Sequence, residues 1–116
     1  MRIRSKVWLE KDGKLLFGRG VASILKAVER EGSLNKAAHR LNMPYRRAWS
    51  LIRAVEEHVD QPLLKKTRGG KGGGGASLTP WAKNLLEGFD RIDIEVNQYA
   101  RERFDALLGT HEPPRK

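Results

Sequence analysis

The chain has 116 residues, 23 Lys and Arg against 14 Asp and Glu, a formal charge of +9 and no cysteine. This length supports one compact domain with at most a helical appendage, and the basic excess points to a polyanionic partner, nucleic acid above all. The missing cysteines exclude disulfides, zinc sites of the Cys type and thiol nucleophiles. The longest apolar run near the N-terminus, Val7-Trp8-Leu9, is too short for a signal peptide, and no segment reaches the roughly 20 apolar residues of a membrane span. A cytoplasmic protein without membrane association is expected.

The charge is segmented. The first 79 residues carry a net +10, whereas residues 80–108 are net acidic at −2. This pattern suggests a basic binding body followed by a helix with a different task. In chain order, residues 3–17 alternate loosely through Ile3, Ser5, Val7 and Leu9, and Asp12-Gly13 separates them from Leu15-Leu16-Phe17. Asp-Gly between apolar runs predicts a short N-terminal β-hairpin. After Gly18 and Gly20, the spacing of Val21, Ile24, Leu25 and Val28 predicts a first helix ending at Gly32. Ser33 is a good N-cap for a short second helix with Leu34, Ala37, Ala38 and Leu41 inward, and Asn42 suits a left-handed turn.

A third helix is expected from Pro44 to about Asp60, with Ala48, Leu51, Ile52, Val55 and Val59 inward. Residues 63–79 read as two short strands around a flexible glycine-rich tip. Thr79-Pro80 is an N-cap with proline at the first helical position. The fourth helix, 80–108, carries Trp81, Leu85, Phe89, Ile92, Val96 and Tyr99 at alternating three- and four-residue steps, a near-heptad stripe that calls for a partner, so these six are assigned to dimerisation. The tail, 109–116, is expected to be disordered. The fold class is therefore mainly α with a small β component: a winged helix-turn-helix over 1–79, with its wing at about 63–79, and a long C-terminal dimerisation helix.

The segment Leu34–Arg53 carries the functional signal. Two helices packed across a tight turn need apolar residues at five places and a small one at the closest approach. Ala37, Leu41, Met43, Ala48 and Leu51 fill the five, and Ala38 the sixth. With that stripe inward, 100° per residue puts Arg46, Ser50, Arg53 and Glu57 on the outer face, with Arg47 and Trp49 on its flanks. Arg46 and Arg53 can reach guanine O6 and N7, and Ser50 a base or phosphate. Pro44 opens the helix and is counted in the DNA-binding set, and Tyr45 and Arg47 are assigned to phosphates or thymine methyls. In the second helix Asn35 and Lys36 are assigned to phosphates, and the N-cap Ser33 is counted in the DNA-binding set. Lys65, Lys66, Arg68 and Lys71 accompany the glycines of the wing without any acid, so that loop can approach the DNA backbone closely, and Lys65, Arg68 and Lys71 join the DNA-binding set.

Competing readings are weaker. Gly70-Lys71 is followed by Gly72 rather than the Ser or Thr of a nucleotide-binding loop, and Gly18-Arg19-Gly20 lacks the third glycine of a dinucleotide fingerprint. His39, His58 and His111 lie on different elements without metal-ligand spacing. The expectation is therefore no enzyme, no catalytic residue, no metal and no cofactor. The alternatives from other classes are a winged helix used for protein interaction and a nucleic-acid binder without sequence preference.

Gly32-Ser33-Leu34-Asn35-Lys36-Ala37-Ala38, Tyr45-Arg46-Arg47-Ala48-Trp49, and Gly69-Gly70-Lys71-Gly72-Gly73-Gly74-Gly75-Ala76 with Leu78-Thr79 closely resemble the N-terminal DNA-binding domain of the molybdate-responsive ModE regulators, which belong with the LysR-type winged helices. The resemblance spans roughly residues 15–100. It implies a transcriptional regulator that binds a palindromic site in double-stranded DNA as a homodimer, held largely by the helix after the wing, with molybdenum-related genes as targets. Two departures stand out. Pro44 occupies a place where family members usually have serine, and nothing in the chain resembles the family's oxyanion-binding sites, so molybdate is not expected as a ligand.

Overall fold

The computed structural model describes residues 1–67 and 74–115. Its elements run β1 (Leu9–Lys11), β2 (Lys14–Phe17), α1 (Arg19–Glu31), α2 (Leu34–Arg40), α3 (Tyr45–Val59), β3 (Leu64–Thr67), β4 (Gly75–Leu78) and α4 (Pro80–Leu108). They fall into two compact units, Trp8–Glu87 and a second made of Met1–Val7 with Gly88–Lys116.

The first unit begins with the antiparallel β1–β2 hairpin, whose turn residues Asp12 and Gly13 both have positive φ. Strand pairing starts only at Leu9, later than the alternation from Ile3 suggested. Met1–Val7 belong to the second unit, where Ser5 Oγ donates to Asn97 Oδ1 at 2.9 Å. Alternation alone cannot separate a strand from an extended segment that lies along another element.

Helix α1 ends where expected. Gly32 adopts the left-handed conformation, φ 82°, and its N–H returns to Val28 O at 2.8 Å, a turn that glycine makes without a Cβ penalty. Ser33 Oγ then accepts the Lys36 N–H at 3.0 Å and starts α2. The turn into α3 passes through Asn42 at φ 55°, with Met43 N–H donating to Ala38 O at 2.9 Å. Of the six places of the helix-turn-helix, Ala37, Ala38 and Ala48 are buried, and Leu41, Met43 and Leu51 half-buried. Alanine at the buried positions is what allows the two backbones to approach.

The core is formed by Phe17 of β2, Val21, Ile24, Leu25 and Val28 of α1, Leu34 of α2, Ile52 and Val55 of α3, Leu63, Leu78 of β4, and Ala82 and Leu86 of α4. Strands β3 and β4 pair antiparallel, Leu64 with Leu78 through Thr67 with Gly75. Thr79 closes this hairpin. Its N–H donates to Leu63 O at 2.9 Å, its Oγ1 donates to Pro62 O at 2.8 Å, and the same Oγ1 accepts the Ala82 N–H at 3.2 Å, capping α4.

The apolar stripe of α4 is unevenly covered within one chain. Phe89 is 4% exposed within a single chain and is therefore core rather than a residue free for a partner, and Leu85 is half-buried. Ala82 and Leu86, outside the near-heptad series, are buried, whereas Trp81, Ile92, Val96 and Tyr99 are exposed. A spacing identifies an apolar line but not what covers it. No helix among the described residues is long and apolar enough to cross a membrane.

Candidate nucleic-acid interface

A broad groove of about 900 Å³ lies in the Trp8–Glu87 unit between the start of α2, one side of α3 and the β3–β4 hairpin. Ser33 and Asn35 border it from α2, and Lys65, Lys66, Thr67 and Gly74–Ala76 from the hairpin. From α3 it is lined by Tyr45, Trp49, Arg53 and Glu57, one row at steps of four, with Ile52, Glu56 and Asp60 beside it. Steps of four drift only 40° around a helix, so this row forms a continuous wall.

The expected outer face of α3 is thus divided. Arg53 and Glu57 line the groove. Arg46, Arg47 and Ser50 stand exposed on the adjoining face, where their side chains make no hydrogen bond or ion pair among the described residues. Pro44 is exposed at the helix start and acts as N-cap without a side-chain bond. Asn35 and Lys36 are exposed on α2. Ser33 is committed as an acceptor to the Lys36 N–H, which leaves its O–H to donate outward. Lys65 and Lys66 are exposed on β3. Arg68 and Lys71, also assigned to DNA, lie outside the described residues.

Two groove residues went unrecognised in the sequence. Trp49, placed on a flank by the helical period, is 48% exposed on the groove wall, and the Arg53 guanidinium lies 5.8 Å from its ring centroid, within cation–π range. Glu56 joins two elements. Its Oε1 accepts Arg53 Nη1 at 3.3 Å while Oε2 accepts the Leu63 N–H at 2.8 Å, directly before β3. Arg53 Nη2 also approaches Glu57 Oε1 at 3.8 Å. Arg53 is therefore engaged within the protein, unlike Arg46, Arg47 and Ser50. Two adjacent acids at the far end of an otherwise basic helix were the available signal.

The groove is electrically divided as well. Lys65 and Lys66 line it from β3, and Glu56, Glu57 and Asp60 gather at the C-terminal end of α3. A polyanion fits the basic side and the exposed N-terminal half of α3, where no acid stands between Leu34 and Val55.

Residues 22–83 match the bacterial regulatory helix-turn-helix proteins of the lysR family. The chain is 35% identical over 86 residues to the molybdenum transport protein ModE of Azotobacter vinelandii, covering 74% of this chain and 32% of that protein. It is 37% identical over 70 residues to the transcriptional regulator ModE of Haemophilus influenzae, 60% of this chain and 28% of the other. To the DNA-binding transcriptional dual regulator ModE of Escherichia coli K12 it is 33% identical over 85 residues, 73% and 31% of the two chains. The chain thus spans about a third of the length of the curated relatives it matches. Among solved structures, the DNA-binding domain in the CbnR–DNA complex superimposes with a TM-score of 0.55 at 25% identity, covering 75% of this chain and 93% of that one. The domain in the BenM complex with benA site 1 DNA shares the fold, with a TM-score of 0.55 and 23% identity over 78% of this chain and 96% of that one.

Proposed function

Because this chain belongs to the bacterial regulatory helix-turn-helix proteins of the lysR family, we propose that it is a sequence-specific DNA-binding regulator of transcription, acting in the cytoplasm as a homodimer on a palindromic site. The observation that carries the reading is the joining of an acid-free, exposed start of α3 to the lysine-bearing hairpin across one groove. In this reading Arg46 and Ser50 face base edges in the major groove, Tyr45 and Arg47 touch phosphates or thymine methyls, and Arg53 reads further along the helix. Ser33, Asn35 and Lys36 of α2 and Lys65, Lys66, Arg68 and Lys71 of the wing hold the phosphates, which positions the reader without specifying sequence. The CbnR relative, a DNA-binding domain in complex with DNA, supports this use of the fold.

Dimerisation is assigned to α4 through Trp81, Ile92, Val96 and Tyr99, apolar residues that a single chain leaves exposed. The names of the ModE relatives support control of molybdenum-related genes as the task. The role is regulatory rather than enzymatic. Selection of binding sites from random duplex DNA tests the whole reading. A palindromic consensus is the expected result. Recovery of no preferred sequence would leave a non-specific nucleic-acid binder, and the absence of salt-dependent DNA affinity would leave a protein-interaction module.

A further inference from the structure

The engagement of Arg53 bears on how specificity arises, and the inference rests on the DNA-binding reading above. Arg53 sits in the groove wall with three neighbours on its own helix. Trp49, four residues earlier, offers its ring at 5.8 Å, Glu56 accepts a hydrogen bond at 3.3 Å, and Glu57, four residues later, pairs at 3.8 Å. The two carboxylates differ. Glu56 has a side chain 13% exposed and is tied to the Leu63 N–H, so it belongs to the scaffold that fixes the chain entering β3 to the end of α3. Glu57 has a side chain 70% exposed on the groove wall and no other partner among the described residues.

An arginine at this place, left alone, would neutralise a phosphate of any duplex and add affinity without selectivity. A carboxylate beside it changes the balance. On a non-cognate sequence Arg53 already has a partner, and moving it to a phosphate exposes Glu57 to that phosphate as an uncompensated like charge. On a sequence that offers guanine O6 and N7, the bidentate contact outweighs a solvent-exposed ion pair, which is a weak interaction. We propose that Glu57 is a specificity-determining residue, which restrains Arg53 so that this guanidinium contributes to binding only where the DNA presents it with a base edge.

The test measures affinity for a random-sequence duplex, and for the site recovered by selection, as a function of salt in the wild-type chain and in E57Q. Glutamine keeps the size and removes the charge on an exposed surface position, so the fold is retained. The expected result is that E57Q steepens the salt dependence on random duplex by about one unit, so that its affinity gain between about 200 and 50 mM salt is about fourfold larger than the wild type's. The preference for the selected site falls by a similar factor. The same substitution in an R53Q background has a clearly smaller effect, because the restrained group is gone and only the direct repulsion between Glu57 and phosphate is relieved. Wild-type binding with an unchanged slope in E57Q overturns the inference alone, as does an effect that persists in full in R53Q. Absence of salt-dependent DNA binding by the wild type overturns the functional reading and the inference together.

Discussion

The carbonyl oxygen of Gly32, at the left-handed end of α1, accepts a hydrogen bond from the N–H of Ala76 in β4 at 2.8 Å. The wing is thereby fastened to the helix that precedes the helix-turn-helix, and the fastening requires close approach. A methyl group on the neighbouring Gly75 would lie 2.5 Å from that same Gly32 oxygen and 2.8 Å from Thr67 Oγ1. Of the six glycines between residues 69 and 75, Gly75 therefore has a packing reason of its own.

Gly75→Ala forces backbone apart at this contact, and the expected loss of unfolding free energy is about 1–3 kcal/mol, the usual range for overpacking. Gly88→Ala is the contrast. That residue lies within α4 with nothing near its missing side chain, so alanine should stabilise by up to about 1 kcal/mol through helix propensity. Urea unfolding of both variants checks the pair, and equal stabilities would remove the proposed constraint at Gly75.

Thr79→Ala deletes both the α4 cap to Ala82 and the bond to Pro62 O. A lost cap costs about 1 kcal/mol, and the second bond adds a similar amount. Thermal or urea unfolding measures the sum. Stability within a few tenths of the wild type would mean that water replaces both bonds.

Arg46→Ala is expected to weaken binding to a selected site by about 1–3 kcal/mol while leaving random duplex nearly unchanged. Arg53→Ala should cost less, because Arg53 leaves Glu56 and Glu57 to reach DNA whereas Arg46 has no such partners among the described residues to give up. Titrations on matched and random duplexes compare them. Uniform loss on every sequence would reassign Arg46 to phosphate.

Lys65→Ala and Lys66→Ala, on the basic side of the groove, should each reduce the slope of log affinity against log salt by about 0.9. Slopes unchanged in both variants would take β3 out of the interface.

Ile92→Glu places a charge on an α4 residue that is exposed in one chain. If α4 forms the dimer, sedimentation of this variant shows a monomer at concentrations where the wild type is dimeric. Wild-type sedimentation would disprove the assignment.

Much of this molecule is legible in its residues because the signals are local. Asp12-Gly13, Gly32, Ser33, Asn42 and Thr79-Pro80 each turn or cap the chain through bonds reaching no more than a few residues, and all occur where expected. Periodicity likewise placed Ala37, Ala38 and Ala48 in the core and left Arg46 and Ser50 exposed. The partners of Arg53, the groove-facing position of Trp49 and the burial of Phe89 were not legible. A helical period gives the direction of a side chain relative to its own axis, whereas burial and exposure depend on which other element crosses that direction and how closely.

The sequence by itself therefore determined the order of the elements, their caps and the helix-turn-helix with its outer face, since these follow from short-range bonding and the 3.6-residue repeat. Only the tertiary structure decided that β4 lies against α1 and that the residue before β3 is tied to the end of α3, so that Glu56 links Arg53 to Leu63 and Gly75 must clear Gly32. Those relationships join residues brought together by packing, and no spacing along the chain encodes them.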